Sequence, residues 1–159
     1  MTGTFSFDAE RLEWARHGDW VLPFHGEEYY VRDLDAWVGL CSRHRGRLAA
    51  CRVVDDRRGE AEPACKCGRD LLFRQMWRRH VSASLVYMGN ARFCLLETVT
   101  QPHQDRSDTL GLIVPMLLRV VTFRVQYSWK GELCVVKRRA KAYKLPWQSS
   151  SKKPRALWI

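Results

Sequence analysis

The stretch EEYYVRDLDAWVGLCSRH, residues 27–44, decides how the first half of this chain is read. Tyr30, Leu34, Trp37, Val38 and Cys41 recur at i, i+4, i+7, i+8 and i+11, the spacing of one helix face. Acidic residues at its start suit a helix N-terminus, where the backbone dipole favours negative charge. The spacing predicts a helix from about Glu27 to Leu40. Such a helix delivers Cys41 to its end and His44 to the turn beyond.

Outward from that helix, residues 47–54 (RLAACRVV) fit a strand, and 55–63 (DDRRGEAEP) form a charged loop punctuated by Gly and Pro. Then comes Ala64-Cys65-Lys66-Cys67-Gly68. Zinc in structural sites takes four thiolate and imidazole ligands in a closed tetrahedron. Cys41, His44, Cys65 and Cys67 are therefore candidate ligands of one structural Zn2+, delivered by two facing helix-end turns. Cys51 is a spare candidate that reads as core. Cys-x-Cys is tighter than the commoner Cys-x-x-Cys knuckle, and the alternative is a set of unligated thiols.

A second helix is expected over 70–80, with Leu71, Leu72, Met76 and Val81 on one side and Arg74, Arg78 and Arg79 on another. A shorter one is expected from Asp8 to His17, with Asp8 as its cap and Gly18 as its stop. Trp20–Phe24 reads as an edge strand ended by Pro23 and Gly26. The second half reads as β. Ser84–Met88 and Arg92–Val99 flank Gly89-Asn90, a hairpin turn pair. Val120–Tyr127 alternates, Lys130-Gly131 turns the chain, and Glu132–Arg138 runs back. Leu110–Leu118 is an apolar run that periodicity cannot assign. The fold expected is α+β: a helical first half with a structural zinc site, then an antiparallel sheet. Residues 1–147 form one domain and 148–159 a flexible basic tail, whose last four residues are a candidate anchor.

The chain has 159 residues, 46% of them apolar and seven of them tryptophan, enough to bury a core. Its net charge of +10 favours acidic partners: nucleic acid, an acidic protein face or an anionic surface. No secretory signal is legible at Met1–Phe7, and no apolar run reaches the ~18 residues that span a bilayer. The expectation is an intracellular chain with no membrane partner, whose thiols stay reduced.

Two constellations bear on function. Lys137, Arg138, Arg139, Lys141 and Lys144 make a basic run beside Tyr143 and Trp147. Cations contact phosphates and aromatic rings stack on bases, so nucleic acid is one reading. A partner contact, a nuclear-import address or a solvated face are the others. Arg74, Arg78 and Arg79 add a second basic face. The order His25-Gly26-Glu27, helix, strand, Pro63-Ala64-Cys65-Lys66-Cys67, helix follows that of zinc nucleobase deaminases. The second motif departs from theirs, with an extra Ala after the proline and one residue fewer between the cysteines. No nucleophile elbow, P-loop or dinucleotide fingerprint is present, and a non-enzyme is expected.

Several short segments, in order over about residues 19–145, resemble the adenoviral early-region-four 34-kilodalton protein family. They are Asp19-Trp20-Val21-Leu22-Pro23-Phe24, Cys65-Lys66-Cys67, Phe73–Val81, Leu85-Val86-Tyr87-Met88-Gly89-Asn90-Ala91-Arg92, and the last apolar stretch running into Lys137-Arg138-Arg139. The resemblance implies a viral early regulatory protein of the host nucleus and cytoplasm. Such a protein is an adapter that joins host proteins, elongin B/C and a cullin among them, and a second viral early protein, for ubiquitination of host factors. The elongin-binding box of that family is not intact here. Val114 and Gly89 stand where its cysteine belongs in the two best matches, after Leu110 and Leu85.

Overall fold

The residues read above as one helix fold back on themselves as a hairpin. In the computed structural model, which describes residues 3–52, 62–73, 80–100, 116–145 and 155–158, Phe24–Val31 (β3) pairs antiparallel with Ala36–Cys41 (β4). A single 3-10 turn over Arg32–Leu34 joins them, and Asp35 in the left-handed region (φ 45°) closes it. Tyr30 and Trp37 face each other across the hairpin, with ring centroids 5.8 Å apart. An i, i+7 pair is two turns of a helix, and it is also one rung of a hairpin with a tight turn. The buried residues settle which pattern packs: Val31, Ala36, Val38 and Leu40 lie on one side of the ribbon, at the period of two that strands require.

The expected first helix is a hairpin too. Thr4–Asp8 (β1) pairs with Glu13–Gly18 (β2). The Asp8 carboxylate accepts hydrogen bonds from the backbone N–H groups of Glu10 (2.9 Å) and Arg11 (3.1 Å). Those are the bonds of a helix N-cap, but here they organise a turn that ends at Leu12, with φ 57°. Trp20–Pro23 is irregular and bends at Pro23, and β3 begins only at Phe24. Of the expected helix over 70–80, Asp70–Phe73 is irregular, residues 74–79 lie outside the described residues, and His80 opens a strand. Among the described residues there is no α-helix, so the α+β reading is corrected to an antiparallel β fold.

Leu48–Arg52 (β5) and Cys65–Cys67 (β6) complete a sheet in the order β3-β4-β5-β6. His80–Tyr87 (β7), Arg92–Thr100 (β8), Met116–Tyr127 (β9) and Leu133–Lys144 (β10) form a second, in the order β10-β9-β8-β7. The β7–β8 and β9–β10 hairpins expected from the turn pairs are present, with longer strands. Both sheets are four-stranded meanders in chain order, the unit that propellers repeat radially.

The core lies between the two sheets. Val31, Val38, Leu40, Leu48 and Ala50 come from the first, and Leu85, Phe93, Leu95, Val121, Phe123, Val125 and Leu133 from the second. Tyr29 joins them: its ring meets Tyr87 and Phe93 at 6.0 and 6.1 Å, and its hydroxyl donates to the Leu85 carbonyl at 3.0 Å. Glu97, 3% exposed, is neutralised inside by Arg119 at 2.7 Å and meets His80 at 3.0 Å. The segment Gly68–Phe73 is tied down by polar contacts. Asp70 accepts from the Val135 N–H (2.8 Å), and Arg138 donates to the carbonyls of Leu71 and Leu72, each at 2.9 Å.

Candidate metal centre

Strand alternation puts the cysteines of the first half on one face. Trp37, Gly39 and Cys41 in β4, Ala49 and Cys51 in β5, and Cys65 and Cys67 in β6 alternate with the core residues and so lie on the side away from the second sheet. The buried Cys41 ends β4. The chain then turns through Ser42–Gly46, and the His44 N–H donates to the Cys41 sulfur at 3.3 Å. Gly46 takes φ 81°, and a Cβ there would lie 1.9 Å from the Phe73 carbonyl oxygen. Its own carbonyl accepts from the Leu72 N–H at 2.7 Å. Only glycine fits both the backbone angle and that approach, so Gly46 fixes the loop that carries His44.

Three of the four expected ligands converge. The sulfurs of Cys41 and Cys67 and a ring nitrogen of His44 all lie within 4.8 Å of one another. Cys41 Sγ is 3.9 Å from His44 Nδ1. Burial, with the Cys41 thiol beside it, pushes the Cys67 thiol up to about 11. Zinc–sulfur bonds of about 2.3 Å and zinc–nitrogen bonds of about 2.0 Å space tetrahedral ligand atoms roughly 3.5–3.8 Å apart. The cluster is a little wider than that spacing, and the donor set of two thiols and an imidazole suits a soft or borderline ion.

Cys65 is the exception. It faces Cys51 across β5 and β6 and is bonded to it as a disulfide. Its sulfur is occupied, which corrects the four-ligand set read from sequence. The reading of wholly reduced thiols did not foresee this pair. Cys65-Lys66-Cys67 reads in the sequence as a turn, and only its pairing as β6, with Cys65 opposite Cys51, brings the two sulfurs together.

A cleft of about 600 Å³ opens beside Cys41, lined by His25, Ser42, Phe73, His80 and Ser82 among others. The Phe73 and His80 rings stack in parallel 4.7 Å apart. His25 and Glu27 lie in β3, not at a helix start, and His25 is not among the converging ligand atoms. The deaminase arrangement, which needs histidine and cysteines on successive helix N-termini, is therefore not formed.

The basic run lies along the edge strand β10, where Lys137–Lys144 are exposed. Lys137 has φ 52° at a bulge between Val136 and Arg139. Arg138 is engaged with Leu71 and Leu72 as described, so it serves the fold. Arg139, Lys141 and Tyr143 alternate onto one face, while Lys144 takes the other. Arg74, Arg78 and Arg79 lie outside the described residues. Ser84-Leu85 and Gly89 fall in β7 and the turn after it, so that candidate elongin box is not helical; the other, apart from Leu118, lies outside the described residues.

No curated protein and no solved structure matches the chain. The model of the family described as "Protein of unknown function (DUF1668)" matches residues 1–143. That description names no catalytic activity. The match runs from the first hairpin to β10 and takes in both sheets and the Cys41–His44–Cys67 cluster: the chain belongs to the DUF1668 family.

Proposed function

We propose that this chain is a non-catalytic binding module that docks an acidic, extended partner segment along β10 and is held at its first sheet by a structural zinc ion. The observation that carries the docking reading is the exposed edge. β10 has twelve residues and, among the described residues, no strand beyond it, and its outer stretch Lys137–Lys144 is exposed and basic. An edge strand offers unpaired backbone N–H and C=O groups to an added strand. Arg139, Lys141 and Lys144 would select acidic side chains on that strand, steering encounter as well as register. The zinc reading is supported by the convergence of Cys41, His44 and Cys67. The likeness noted in the sequence supports an adapter, with elongin B/C and a cullin as the partners it implies.

The test uses the tagged full chain and a variant in which Arg139, Lys141 and Lys144 are all glutamate. The expected outcome is that proteins captured from cell lysate through acidic segments are lost in the variant while its far-ultraviolet circular dichroism is unchanged. Identical capture by both would refute the edge as the docking site. Metal analysis of protein purified without added zinc tests the second part, with close to one zinc per chain expected.

A nucleic-acid reading is favoured by one observation: Tyr143 is 51% exposed between Lys141 and Lys144, the pattern of a stacking ring among phosphate contacts. It predicts a gel shift with single-stranded DNA or RNA whose affinity falls steeply with salt. No shift at low salt removes it.

A further inference from the structure

The disulfide and the ligand cluster share a sheet face, strand β6 and its one Cys-x-Cys. Cys67, a converging ligand, and Cys65, a disulfide partner, are residues i and i+2 of β6 and point to the same side. We propose that the Cys51–Cys65 disulfide and a four-ligand metal site are alternative states of this face. Reduction of the disulfide frees Cys65, which then closes the coordination of an ion already held by Cys41, His44 and Cys67. The inference rests on the metal reading above and assigns it a redox dependence.

The placement favours Cys65 over Cys51 as the mobile ligand. Cys51 is 0% exposed in β5, a strand paired on both sides. Cys65 is exposed in β6, a three-residue strand paired, among the described residues, on one side only. A short edge strand can shift toward the cluster where an internal strand cannot. With the disulfide closed, three protein ligands leave a fourth position to water, as in open zinc sites. With it open, the set becomes three thiolates and an imidazole, as in closed structural sites.

The step balances as follows. A small dithiol reductant gives two electrons and two protons to the Cys51–Cys65 bond. The S–S bond breaks, two thiols form, and the reductant leaves as its own disulfide. Metal binding then releases the Cys65 proton to solvent, since the ligand is the thiolate. Cys51 remains a buried thiol.

The test is titration of the full chain with Co2+, whose thiolate charge-transfer absorption grows with each bound sulfur. It is run on oxidised and dithiol-reduced protein, with excess reductant removed anaerobically. The expected result is at least tenfold tighter binding after reduction and a third thiolate in the spectrum. Cys65→Ser should bind as the oxidised protein does in both conditions. Cys51→Ser should bind as the reduced protein does without reductant. Should that buried replacement fail to fold, the comparison of oxidised and reduced wild-type protein with Cys65→Ser still decides the matter. Equal affinity and equal spectra in the two redox states would overturn the switch and leave the three-ligand site intact. Persistence of the third thiolate in reduced Cys65→Ser would overturn the assignment to Cys65. No Co2+ binding in either state would overturn the metal reading as well.

Discussion

The two four-stranded sheets have the same topology and are held in different ways. The second sheet is filled by large side chains: Phe93, Phe123, Leu85, Leu95 and Val121 pack with full or near-full burial, and a carboxylate neutralised by Arg119 lies among them. The first sheet is built from small ones. Ala36, Ala49, Ala50, Gly39, Cys41 and Cys51 occupy its buried positions beside a few valines and leucines. Small side chains bury little apolar area, and apolar area is the main favourable term in folding. The first sheet supplements it with sulfur: a disulfide across β5 and β6 and a ligand cluster at the end of β4. The same backbone plan thus rests on packing in one half and on packing supplemented by a disulfide in the other.

The largest expected effect breaks the packed half. Phe93 is fully buried, with Tyr29, Tyr87 and Phe123 around it. Phe93→Ala should cost about 3–5 kcal/mol of stability, the range for emptying an aromatic core site. Urea unfolding measures it, and a loss under about 1 kcal/mol would show that this ring is not the centre of the core.

Next comes the cross-linked half. The disulfide closes a loop with a sequence separation of 14, for which chain entropy gives about 3 kcal/mol. Cys65→Ser should lose that much relative to the oxidised protein and nothing relative to the metal-free reduced one. Hydrogen exchange sharpens the contrast. Reduction of the metal-free protein should speed exchange of β5 amides such as Ala49 and Cys51 and leave β8 and β9 protected. Uniform acceleration in both sheets would mean that they open together, and the comparison between them would fail.

Gly46 is a smaller but more local test. Gly46→Ala places a Cβ against the Phe73 carbonyl at a positive φ. Its expected cost is about 1–3 kcal/mol, the range for a residue forced into a disfavoured backbone region. It should also displace the His44 loop and weaken metal binding. A variant that loses stability but keeps metal affinity would separate the loop from the site.

The sequence was most legible where local chemistry has one meaning. Gly89-Asn90 and Lys130-Gly131 sit between alternating runs, and both hairpins formed. It was least legible in residues 8–41, where each signal has two meanings. The Asp8 carboxylate makes the bonds of a helix cap and of a turn, and Tyr30 and Trp37 suit a helix face and a hairpin rung. What separates the readings is tertiary: β3 and β4 gain a partner sheet through Tyr29 and Val38, and no local pattern encodes that. The approach of Cys41 to His44 was legible because Cys-x-x-His brings its own two donors together in any tight turn. Which of Cys65 and Cys67 joins them was not, because the two look equivalent until the strand register places Cys51 opposite Cys65.

The smallest effect concerns the joint between the sheets. The Tyr29 hydroxyl crosses from β3 to the Leu85 carbonyl in β7. Tyr29→Phe keeps the ring in the aromatic cluster and removes only that bond, so about 0.5–1.5 kcal/mol should be lost. The denaturant midpoint should fall with the slope unchanged, because the exposed surface stays the same. Combining Tyr29→Phe with Cys65→Ser then measures how the halves communicate. The two sites lie in different strands with no shared partner, so the losses should add within about 0.5 kcal/mol. A larger coupling would show that the disulfide of the first sheet acts through the joint on the packing of the second.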